Sequence, residues 1–408
     1  VLPIDRNTHE RVAAALSPEA RARAAAGMDT FESLPAPTER DENWRYVHAE
    51  VDLGRYRIAE EPGASSAPPV PGLEAIASAT NVDGHTVAAA STDGVSIVPL
   101  GESGAQGPIP VADDRFVALH EAFSGDGVLI RVAPKARLEG PAVVTLEAVS
   151  QAVAAFPRIR IEAGESSHVS VIVNQWSPEV EALVVPRFEV NAEADARVEL
   201  TVLQQWGTET TALARHHFTA DRDSTVLLAE AGLGARYSRL HLSVDLVGDG
   251  SNAEIIGAYF GDADQVLDYR YFMRHAARGT TSEMFLKGAV AGEARSVFSG
   301  LIRIEPEGQK TSAHQTNRNL VLSDGAEAHS VPNLEILADD VRCGHGSAVG
   351  PLDEEQRYYL MSRGLQQPRA DRLQVKGFFE QALQRFPDQN LEPLLREAAM
   401  AKYSRIAS

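Results

Sequence analysis

The residue types best suited to chemistry in this 408-residue chain lie in one stretch, residues 313–364. It holds the single cysteine, Cys343, two positions before His345, with Gly344 and Gly346 on either side of the histidine. In a strand, residues at i and i+2 face the same side. A thiolate and an imidazole so placed can converge on one soft metal, within the chain or across an interface. The glycines would let another backbone come close. The same residues also fit a packed free cysteine beside a structural histidine at a strand end.

Other motifs carry less. GDGSNA (248–253) has dinucleotide-turn spacing, but EIIGAYF after it reads as a strand where a helix N-terminus must receive the phosphates, and Asp249 would oppose them. EGQKTS (307–312) lacks P-loop spacing. There is no G-x-S-x-G, H-E-x-x-H or C-x-x-C pattern, and the many carboxylates form no acid/base spacing. His168, His216, His217 and His241 fall in strand patterns and read as packed or exposed rather than as ligands. No catalytic residue is identified, so an enzyme is not expected.

Composition narrows the classes further. Asp plus Glu number 57 against 38 Lys plus Arg, a net charge of −19. That field disfavours nucleic acid and anionic membrane surfaces as partners. One cysteine excludes a disulfide framework and a four-thiolate site. No apolar run is long enough to span a bilayer, and the opening residues do not read as a secretory signal, so a cytoplasmic protein is expected.

Three zones must position these residues. Residues 1–75 read as helical and then irregular: Ser17-Pro18-Glu19 starts a helix, Gly27 is its expected stop, and the Pro-rich stretch 61–72 is a linker. Residues 76–345 are β-rich with hardly a helical period. Strands restart near Val169, Val198, Val226 and Ile255, every 28 or 29 residues, with small or polar corners between. A period of this length points to stacked coils, a right-handed parallel β-helix, rather than a sandwich. Residues 346–408 read as three helices: one over DEEQRYYLMSRG, ending at Gly364, one from Pro368 through Phe386, and one from near Asn390. From Asp353 onward nine basic residues face eight acidic ones, so these helices differ electrostatically from the acidic body and could dock a partner or simply cap the solenoid.

The stretch PNLEILADDVRCGHGSAVG followed by YYLMSRG resembles the C-terminal signature of the SufB/SufD family of iron–sulfur cluster assembly proteins. QTNRNL (315–320), HAARGTTS (275–282) and LPAPTERDENWRY (34–46) are similar to further elements of that family, and the last of these, with the single cysteine, is most like the SufD branch. ALHEAF (118–123) departs from the pattern, with His120 where asparagine is usual. The resemblance implies a β-helix between helical ends and a non-ATPase scaffold. It would pair with a SufB-like paralogue and bind a SufC-like ABC ATPase through its C-terminal helices. It implies that His345, and more weakly Cys343, meets a transient iron–sulfur cluster at the paralogue interface, in a site the partner completes, so that the chain alone holds no cofactor. It also implies that Tyr358, Tyr359, Leu360, Arg363, Phe378 and Phe379 contact the ATPase. The rival readings are a homodimeric β-helix acting without SufB and a β-helix polysaccharide-active enzyme.

Overall fold

A computed structural model describes residues 2–38, 40–47, 50–100, 114–124 and 127–406. The chain is mainly β and winds into a solenoid of about eight turns. Successive turns place strands alternately into a thirteen-stranded and a ten-stranded sheet, and the pairing is parallel throughout the coil. Val169 lies beside Val198, and Val198 beside Val226, so the sequence period is the spacing of one rung. Ile255 stands beside Leu228 rather than Val226, two residues along on the same face.

The corners explain the period. Ser166, Asp195, Asp223, Gly250, Gly279 and Lys310 all take positive φ. The N–H of each of the first five donates to a carbonyl one turn on: Ala194, Arg222, Asp249, Arg278 and Gln309. Aspartate, serine and glycine tolerate this left-handed conformation better than β-branched residues do. This column of corners, once per turn, therefore reads as a recurring small or polar break, and Ala235, Ala263 and Gly292 take positive φ at a second column.

Side chains alternate between the solenoid interior and its outer faces. The interior is filled by Val, Leu, Ile and Ala, with Phe188, Phe218 and Phe298 among its largest groups. At the N-terminal end the coil changes direction. The strands Ala77–Val82 and His85–Ala90 form an antiparallel hairpin, and Val95–Pro99 pairs antiparallel with Gly127–Val132.

Helices cover both outer faces. Helices α2 (Pro18–Ser33) and α3 (Arg115–Phe123), with Trp44, pack on Leu183, Leu213 and Tyr237 of the thirteen-stranded sheet, and α1 (Arg6–Ala13) packs on α2 and α3. Helix α4 (Glu354–Ser362) is followed by α5 (Gln367–Leu383) and α6 (Glu392–Ile406). Val375, Phe379, Leu383, Leu395 and Met400 bury the other sheet's Leu203, Ile256 and Phe260. Lys402 ties α6 down, reaching Asp262 at 2.7 Å and Leu233 O at 2.7 Å.

Two helix expectations are corrected. Helix α2 starts as expected, with Ser17 accepting from Ala20 N, but runs through Gly27 to Ser33. A Cβ at Gly27 would meet Ala122 N and Glu121 Cβ at 2.8 Å, so this glycine permits close helix packing rather than ending the helix. The β-rich zone also contains a full helix, α3, whose residues Phe116–Phe123 are all buried, His120 and Glu121 included; a nine-residue helix covered on every side leaves only a short polar face as a sequence signal. Among the described residues no helix is long and apolar enough to cross a membrane.

Candidate functional site

The strand Arg342–Gly350 is the last of the ten-stranded sheet and pairs only with Ser312–Val321. The other sheet ends at Glu327–Ile336, which pairs only with Arg295–Ile304. The C-terminal end of the solenoid therefore presents two strand edges that pair on one side among the described residues.

Cys343 and His345 sit on the first of these edges, opposite Ala313 and Gln315. Ala313 belongs to the interior core and Cys343 packs partly against it, so this parity of the strand continues the inner wall. His345 is exposed and Cys343 half-buried. Burial pushes the thiol pKa up, against a smaller opposing effect of the Gly344 backbone, which reduces thiolate character near neutral pH. Among the described residues no group of three or more His, Cys, Asp and Glu side chains is arranged to hold a metal ion.

Behind His345 the inner wall turns polar. Gln315, 1% exposed, donates to Asn333 O at 3.1 Å while its Oε1 has no hydrogen-bond partner among the described residues. Tyr259 donates to Asn319 Oδ1 at 2.7 Å, Asn317 donates to Tyr259 Oη at 3.1 Å, and Asn319 donates to Asn317 Oδ1 at 2.6 Å. Alternate residues of QTNRNL thus form an internal network, which is the physical content of that motif. Deeper inside, the Glu230 carboxyl is pushed up to about 8 by burial. Sequence reading did not single out Glu230 or Tyr259; the signal available was a polar residue at the inward parity of an apolar strand.

The HAARGTTS motif has a local role. His275, fully buried, contacts Thr280 Oγ1 at 2.7 Å and Ser282 Oγ at 2.8 Å, and Thr280 contacts Thr311 Oγ1 at 2.8 Å. Burial pushes its pKa down to about 4. His216 is stacked on Phe188 at 4.0 Å and pushed down by burial to about 3. His168 and His217 lie 3.7 and 3.6 Å from Glu199 and Asp245. His120 is buried on α3 beside Glu121.

The C-terminal aromatics divide. Tyr358 and Tyr359 of α4 are 77% and 56% exposed, and Arg363 lies 5.2 Å over the Tyr359 ring. Leu360 is half-buried. Met361 and Leu373 extend the exposed apolar surface. Phe379, by contrast, is 2% exposed and packed inward, and Phe378 is half-buried against Lys287, whose ammonium lies 4.3 Å from its ring centroid. Phe379 holds α5 to the solenoid, which corrects the expectation that it faces a partner, while Phe378 keeps part of its ring open to solvent.

The SufBD core domain of the SUF iron–sulfur cluster assembly system matches residues 145–378, which takes in most of the coil, the Cys343–His345 edge and α4. The chain belongs to the SufBD family. An iron–sulfur cluster assembly SufBD family protein of Mycobacterium leprae is 31% identical, over 72% of this chain and 75% of the relative. A SufBD family protein of Mycobacterium tuberculosis is 32% identical over 69% and 70%. The iron–sulfur cluster assembly protein SufD of Escherichia coli is 28% identical over 87% of this chain and 86% of its own length. This SufBD chain is thus a SufD homologue in a family of iron–sulfur cluster assembly proteins.

Proposed function

We propose that the chain is a non-catalytic scaffold subunit working in the cytoplasm, pairing through its open solenoid end with a SufB-like paralogue. A SufC-like ABC ATPase binds the exposed face of α4. A nascent iron–sulfur cluster forms transiently at the seam as cargo. His345 offers it a neutral imidazole nitrogen, a ligand type iron accepts, while the remaining ligands come from the partner. Cys343, half-buried and with a raised pKa, is the weaker contributor.

The observation that carries this reading is the exposed His345 on a strand edge that continues the solenoid's inner wall. An unpaired edge is a ready template for another chain. The same edge could also meet a second copy of this chain about a two-fold axis. Co-expression with the paralogue and the ATPase, followed by size measurement and anaerobic reconstitution read by visible absorbance, tests the proposal. A stable homodimer that ignores both proteins would overturn it.

A further inference from the structure

We propose that the turn joining α4 to α5 is a positively charged docking tip, and that it fits an acidic, apolar-lined groove on the ATPase. The inference rests on the reading that the ATPase binds α4, and it names the chemistry of that contact.

Charge is segregated along the chain. Between Gln356 and Phe379 stand five cations, Arg357, Arg363, Arg369, Arg372 and Lys376, against one acid, Asp371. The segment therefore carries +4 in a chain of −19, and the other residues together carry −23. Two of the cations are matched. Arg357 lies 2.6 Å from Asp371, and Lys376 lies 3.5 Å from Glu380. Arg363, Arg369 and Arg372 are exposed and have no carboxylate partner among the described residues. Arg363 lies over the Tyr359 ring, and Arg372 donates to Ser404 Oγ, a neutral acceptor. The acids at α4, Asp353 as its cap and Glu354 and Glu355 in its first turn, lie at the end away from Gly364.

The tip is also apolar and held in shape. Tyr358, Tyr359, Met361 and Leu373 are exposed around the same turn, and no residue of α4 is buried. Arg369 stands three residues before Arg372 and four before Leu373, the spacings that make side chains neighbours on a helix. Gly364 turns the chain with φ of +93°, and the Arg357–Asp371 pair ties α4 to α5.

Like charges this close oppose one another, and carboxylates from outside the chain would offset that cost. Arginine pairs with carboxylates through a planar fork and stacks on aromatic rings, which suits a partly desolvated protein groove. A flat anionic bilayer would face the acidic body as well as the tip, so a groove that meets the tip alone is favoured. The charge reversal also orients docking: an acidic surface is drawn to the tip and repelled by the body.

The test measures Kd between the full chain and the purified ATPase at low and raised salt. Arg369→Glu with Arg372→Glu should raise Kd about tenfold at low salt, and the matching Gln pair should raise it less. Both differences should shrink as salt rises. Should the double variants misfold, Arg369→Glu alone should raise Kd severalfold. Unchanged Kd in these variants while Tyr358→Ala abolishes binding overturns the acidic groove and leaves ATPase docking standing. Equal losses for the Glu and Gln pairs, indifferent to salt, would mark a packing contact and overturn it likewise. Failure of the unaltered chain to bind the ATPase overturns both readings. Binding to phosphatidylserine vesicles that Arg369→Glu abolishes would assign the tip to a membrane instead.

Discussion

Phe260 and Phe379 stack with ring centroids 5.8 Å apart and planes 18° from parallel, joining helix α5 to the ten-stranded sheet. Tyr358, one helix earlier, is the most exposed large apolar residue described. Phe379→Ala should therefore cost about 3–5 kcal/mol in denaturant melts. Tyr358→Ala and Tyr359→Ala should each stay within about 0.5 kcal/mol yet abolish co-purification with the ATPase. Removing residues 350–408 should yield aggregated protein, because Leu203, Ile256 and Phe260 lose their cover. Monomeric, folded protein after that truncation would contradict this packing.

His345→Ala removes an exposed edge side chain, so its melting should match the unaltered chain within about 0.5 kcal/mol. Binding to the paralogue should persist while cluster absorbance in the reconstituted complex falls severalfold. Cys343→Ser should lower it less. Full cluster yield from the His345→Ala complex would remove the ligand role.

Glu230 gives a pH signature of its own. Its folded pKa, about 8, lies above the ordinary 4.5. Between these values the unfolded chain ionises this carboxyl and the folded chain does not, so the group lowers stability as pH rises through the window. Glu230→Gln should melt like the parent near pH 4.5 and progressively higher towards pH 8. A pH-independent difference would place the carboxyl in contact with water.

His275 acts in the opposite sense. Its folded pKa of about 4 lies below 6.5, so below pH 6.5 the unfolded state takes up a proton that the folded state refuses. Stability falls with acid down to about pH 4, by up to about 1.4 kcal/mol per pH unit. Glu121, whose burial is outweighed by His120, Arg158 and Arg187, is held at about 2 and adds a further loss between pH 4.5 and 2. His275→Gln should lessen the loss in the first window without removing it, because buried His216 titrates there too, and should leave the Glu121 loss unchanged, read by melting temperature against pH.

The coil was legible because each turn repeats a left-handed corner at the same place, and aspartate, serine or glycine recurs at most of them. The helices around it were less so. Gly27 carries the composition of a stop but serves close packing, and α3 is short and buried on every side, His120 and Glu121 included, so neither local signal points to the real structure. The aromatics of residues 358–379 were recognised by type, whereas their roles depend on spacing. Val375, Phe379 and Ala382 share one helical stripe and face the sheet, while Tyr358 and Tyr359 belong to no such stripe. Cys343 and His345 were correctly paired on one face by strand parity. What parity alone could not give is that their strand is the last, a fact of topology.

The two ends of the coil are not equivalent. The C-terminal end stops with its strands still parallel, while the N-terminal end finishes in reversed strands, Ala77–Val82 against His85–Ala90 and Val95–Pro99 against Gly127–Val132. A solenoid with two identical raw ends would polymerise head to tail into a fibre, each copy seeding the next. Here the reversal breaks the parallel ladder that such growth must extend. If the open end pairs as proposed, it uses the parallel edges of both sheets at once, so assembly would terminate at a pair whose abundance is set by the scarcer subunit.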